Sequence, residues 1–125
     1  MSDSDRTTSS VPRVVVVGPC ASGKSTLVTA LRAHGFDASV SAQEHSAVPR
    51  LWQRSDPDVL IALEVNIEAV RKRRNASWPG WLHDVQEGRL ADAQDAADLV
   101  IDTSDLGAEE VAERAIQFLG FRASA

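Results

Sequence analysis

The sequence predicts an α/β protein with three layers, α/β/α, built around a short parallel sheet of about four strands. Two observations carry this expectation. Residues 14–17, 59–65 and 98–102 are runs dominated by Val, Leu and Ile with almost no polar alternation, the pattern of strands covered on both faces. Segments with helical spacing separate these runs, and alternation of strands with helices closes through right-handed crossovers into a parallel sheet. The 125 residues are enough for one domain with a true core and too few for two.

Residues 1–12 are polar, rich in Ser, Asp and Thr, and without periodicity, so they are expected to be a disordered tail preceding a domain over 13–122. The first strand ends at Gly18. A helix is expected over 24–34, with Leu27, Val28 and Leu31 on its apolar face and Gly35 as its stop. Residues 36–42 alternate loosely and read as a second strand. One or two helical turns are expected to begin at Pro49. After the strand at 59–65, Asn66 is a helix N-cap with Glu68 in the first turn, and the helix closes on Arg71, Lys72, Arg73 and Arg74. Residues 75–80 have loop composition, and 81–97 are helical despite Gly88. The last helix spans 108–119, with Val111, Ala115 and Leu119 inward and Gly120 as its stop.

Composition narrows the function classes. Hydrophobic content of 43% and charged content of 25% are ordinary for a soluble globular chain. A net charge of −5 gives no general attraction to nucleic acid or to a membrane surface. No apolar run approaches a membrane span and no signal-peptide core is visible, so a cytoplasmic protein is expected. The single cysteine precludes an internal disulfide. A monomer or small homo-oligomer fits this size.

The most informative stretch follows the first strand. Gly18, Pro19, Cys20, Ala21, Ser22, Gly23, Lys24 and Ser25, with Thr26 next, fit G-x-x-x-x-G-K-[ST]. Gly18 and Gly23 allow a backbone that turns successive N–H groups toward phosphate oxygens. Lys24 supplies a mobile positive charge, the Ser25 hydroxyl suits Mg²⁺, and the following helix points its positive end at the same anion. The expected ligands are ATP and Mg²⁺.

With this loop, the strand at 59–65, the basic helix end and the D-L-V-I-D-T stretch at 98–103, the chain resembles the P-loop small-molecule kinases, the group of adenylate, shikimate and gluconate kinases, in a shortened form. The resemblance implies a P-loop NTPase fold and transfer of the ATP γ-phosphate to a small acceptor. It implies that Lys24 contacts the transferred phosphate and that Ser25 holds Mg²⁺. Arg71 or Arg74 would reach the nucleotide from the lid side, and Thr103 with its neighbours would line the base pocket. The chain departs from the group in lacking one strand–helix unit and a D-x-D acceptor motif, with only residues 44–56 between the second and third strands.

Other residues have two readings each. If the second strand lies beside the first, Glu44 becomes the carboxylate for Mg²⁺ or the general base; otherwise it is a solvated turn residue. Glu64 and Asp102 also follow strands. Gln43 is similar to the water-orienting glutamine of small GTPases, although no N-K-x-D guanine reader is present. His45, Ser46, Arg50 and Arg54 would contact an acceptor or simply form a polar loop. Trp52, Trp78 and Trp81 are core residues or, for the last two, a lid. Cys20 is an oxidisable thiol or a tolerated small residue. A second function class stays open: a nucleotide-dependent regulatory module that shows segments 44–55 and 74–81 to a partner protein.

Overall fold

The computed structural model describes residues 11–124, with side chains described to residue 120; the tail expected over 1–12 lies almost wholly outside this range. Four strands form one sheet: β1 (Arg13–Val17), β2 (Asp37–Val40), β3 (Val59–Glu64) and β4 (Leu99–Asp102). Their order is β2-β1-β3-β4 and every pairing is parallel. The helices are α1 (Lys24–Ala33), α2 (Ile67–Arg73), α3 (Gly80–Ala96) and α4 (Ala108–Ser124). Two 3₁₀ segments, Gln43–His45 and Leu51–Ser55, fill the connection from β2 to β3.

The runs read as doubly buried are so because helices cover both faces. Val14 and Val16 face one core with Ile61, Leu63, Leu27, Leu31, Val111 and Leu119, beneath α1 and α4. Val15 and Val17 face the other with Leu60, Ala62, Leu90 and Trp52, beneath α3 and the second 3₁₀ segment. The alternation within each strand divides one apolar run between two cores. Trp52 is therefore a core residue, while Trp81 is 69% exposed.

The sequence expectations change in three places. The second strand is shorter than 36–42, since Ser41 still donates its N–H to Val16 O but the chain then turns into a 3₁₀ segment. The turns expected from Pro49 begin at Leu51 and are 3₁₀ rather than α. Gly120 does not stop the last helix, which continues to Ser124. A glycine inside a helix costs only about 1 kcal/mol relative to alanine and terminates it only when a left-handed backbone is adopted, which Gly120 does not do.

Candidate functional site

The carboxyl ends of β1, β3 and β4 converge on the loop from Gly18 to Gly23. Gly18 is closely hemmed in: a Cβ there would stand 2.5 Å from Ser22 Oγ and 3.0 Å from the Leu63 carbonyl oxygen, so neighbours would have to shift. The loop turns back on itself through Ser22 N–H to Pro19 O at 3.2 Å. Two residues then take left-handed backbone, Ala21 at φ 65° and Gly23 at φ 96°. Glycine does so freely, whereas alanine does so at a cost of about 1 kcal/mol or more. Gly23 O accepts from Leu27 N at 2.9 Å, so α1 starts immediately and its first-turn N–H groups have no side-chain cap.

The strained loop is held from behind. Thr103, just past β4 and fully buried, donates its hydroxyl to Ser22 O at 2.9 Å. The Arg73 guanidinium donates to Ala21 O at 2.9 Å and to both the hydroxyl and the carbonyl of Thr103. Arg73 thus ties α2 to the loop and to β4.

Beside the loop lie two cavities. One, of about 200 Å³, is lined by Gly23, Thr26, Leu27, Thr103, Leu106 and Val111, with Arg73 at its edge. The other, of about 260 Å³, is lined by Gly23, Lys24, Ser25, Thr26, Arg73 and Arg74. The first is walled by aliphatic side chains and suits a flat apolar group. The second combines cationic side chains with the start of a helix and suits an anion.

Glu44 stands against the same loop because β2 is the direct neighbour of β1. Its side chain, 4% exposed, pairs with Lys24: Oε2 lies 2.8 Å from Nζ. Lys24 also donates to Pro19 O at 3.1 Å. Glu44 Oε1 is buried with no hydrogen-bond partner. Two more side chains brace this corner from α3: Gln86 accepts from Cys20 N at 2.9 Å, and Arg89 donates to Glu44 O at 3.2 Å.

The acidic strand ends behave differently. The Glu64 carboxyl is raised above its ordinary pKa by burial and by the nearby charges of Glu87 and Asp102. Asp102 is lowered, because its carboxylate accepts from the hydroxyl and the N–H of Ser104 at 2.6 and 2.9 Å. Asp102 is thereby engaged in closing a turn.

Lys24, Ser25 and Arg74 therefore line one cavity beside the loop and Thr103 the other, with Thr26 in the wall of both, and Glu44 reaches the first through Lys24. Pro19 and Cys20 point their polar groups elsewhere, to Lys24 and Gln86. Arg71 is absent from both cavity linings and donates its Nε to Trp78 O at 3.0 Å. Gln43 is buried away from the loop: its amide spans Val48 O at 2.9 Å and Trp52 N at 3.2 Å, leaving none of it to orient a water. Sequence reasoning missed Arg73, Gln86 and Arg89. A long polar side chain on a helix gives no sign of which neighbour it meets. The chain matches no protein-family model and no curated protein.

Proposed function

We propose that this chain is a P-loop protein that binds Mg·ATP and transfers the γ-phosphoryl group to a small-molecule acceptor. The observation that carries the reading is the placing, side by side along the Gly18–Ser25 loop, of a cationic hollow at the start of α1 and a cavity walled by Leu27, Leu106 and Val111, with Gly23, Thr26 and Arg73 lining both. A triphosphate fits the first and a base the second. Loop N–H groups and Lys24 would neutralise charge on the phosphates, and Ser25 would hold Mg²⁺. Arg74, in the lining of the cationic hollow, would add charge there while Arg73 holds the loop, so the chemistry would rest on positioning and charge neutralisation. On binding, Lys24 exchanges its carboxylate partner for phosphate, and Glu44 becomes free to serve the metal or to accept the acceptor's proton. A further hollow of about 340 Å³, lined by Gln43, Ser46, Arg50 and Arg89, adjoins the Glu44 segment and offers a place for the acceptor.

The regulatory-module reading has its own support. Segment 43–56 is folded on itself through Gln43, which fits a surface for display as well as an acceptor clamp.

Thermal unfolding with ATP, ADP and GTP, with and without Mg²⁺, tests the binding. A ligand at 100 times its Kd stabilises by about 2.7 kcal/mol. The expected result is a Mg²⁺-dependent ATP shift, reduced in Ser25→Ala, whose exposed side chain leaves the fold intact. No shift with any nucleotide would sink the proposal. ADP release accelerated by one metabolite supports the kinase; slow release indifferent to metabolites supports the module.

A further inference from the structure

We infer that Cys20, Glu44 and His45 form a three-ligand site for a borderline-soft divalent cation of the zinc class. The site shares Glu44 with the Mg²⁺ place proposed above but not Ser25, and the inference does not rest on nucleotide binding. Two elements bring the ligands together. Cys20 comes from the loop after β1, while Glu44 and His45 come from the first 3₁₀ segment. One ligand atom from each lies within 4.8 Å of the other two.

The spacing is close to that of a formed site. With metal–ligand bonds of 2.0 to 2.3 Å, neighbouring ligand atoms of a tetrahedral site stand about 3.3 to 3.7 Å apart. Cys20 Sγ lies 3.8 Å from His45 Nε2, and His45 Nε2 lies 3.5 Å from Glu44 Oε2. Two edges of the ligand triangle therefore need almost no adjustment.

Two further observations point to a ligand. Glu44 is 4% exposed by side chain, yet its Oε1 has no hydrogen-bond partner. An unpaired carboxylate oxygen in a buried position is destabilising, and a bound cation relieves it. His45 is 59% exposed by side chain, which gives the site an entrance from solvent.

The donor set selects the metal. One thiolate, one imidazole and one carboxylate suit Zn²⁺ and disfavour Mg²⁺ and Ca²⁺, which take oxygen ligands. Binding transfers the Cys20 thiol proton to solvent, and thiolate plus carboxylate then balance the two positive charges. The cation and Lys24 compete for Glu44, since Lys24 Nζ already lies 2.8 Å from it.

Co²⁺ titration of the metal-stripped full chain, without nucleotide and under a phosphine reductant, tests the site. The expected result is one equivalent bound with strong tetrahedral d–d bands and a sulfur-to-cobalt charge-transfer band, all lost on adding Zn²⁺. Cys20→Ser should abolish the charge-transfer band. His45→Ala, at an exposed position that leaves the fold intact by circular dichroism, should weaken Co²⁺ binding at least tenfold. Absence of the band in the wild type, or the same binding midpoint in His45→Ala, would overturn the inference.

Discussion

The two ends of the sheet are built on opposite terms. At the amino-terminal end, polar groups close on one another. Asp58 accepts from Arg13 N at 2.7 Å and returns its own N–H to Arg13 O at 2.8 Å. Asp98 does the same for Leu60, with 2.8 Å in each direction. At the carboxyl end, Ser22 Oγ and Glu44 Oε1 are buried without partners, Ala21 is in a strained conformation, and a lysine–glutamate pair is almost dry. Buried polar groups are normally satisfied, and two of the five left over among the described residues sit here, the others being Trp52 Nε1, Trp78 Nε1 and His83 Nδ1. One end fixes the strands and the other keeps its bonding capacity in reserve.

Removing a charge from the reserved end gives the largest expected effect. Lys24→Ala strands the Glu44 carboxylate in a buried position, a loss of about 3 to 5 kcal/mol by urea unfolding. Lys24→Ala/Glu44→Gln should recover most of that loss; failure to recover would mean that Lys24 acts through packing. Next is Gly18→Ala, which drives a methyl group into Ser22 Oγ and the Leu63 backbone. An overpacked core position costs about 1 to 3 kcal/mol, and the altered loop should also lose its ATP shift.

Asp98→Ala breaks the closed end. It leaves the Leu60 N–H without its carboxylate and costs about 1 to 3 kcal/mol, but the ATP-induced shift should stay at the wild-type size. A diminished shift would erase the distinction between the two ends. Glu64→Gln has the smallest effect. The raised Glu64 carboxyl means that the folded state holds its proton more tightly than the unfolded chain. Stability is therefore lost as pH rises through the folded pKa, above the ordinary value of 4.5. Removing the charge should raise the melting temperature at neutral pH, and the gain should fade as pH falls below that ordinary value. A gain that is constant across pH would point to packing instead.

The strands were largely legible in the sequence, whereas the closures made by Asp58 and Asp98 were not. The run at 14–17 announces a strand covered on both faces, and Asn66 announces a helix start that its carboxamide caps through Ala69 N at 2.8 Å. The loop was legible because each of its fixed residues answers to local backbone geometry. What holds the loop was not legible. Arg71 and Arg74 lie three apart on a helix and share a side, yet Arg73 makes the bonds to Ala21 and Thr103. The tilt of a seven-residue helix is set by its packing against other elements, and spacing along the chain carries no record of it. Gln43 was misread for a related reason. Its neighbours in sequence suggest the site, whereas its amide is consumed by Val48 and Trp52.

The bond from Thr103 to Ser22 joins residues 81 positions apart. Contacts of such separation carry a large loop-closure cost and depend on most of the chain being in place. The loop is thus synthesised well before the residue that holds its shape. A nascent chain that ends before β4 has three of the four strands and no finished site. Until then it has neither Thr103 to hold Ser22 nor the wall supplied by Leu106 and Val111. Completion of the loop is thereby coupled to synthesis of β4 and the residues just after it.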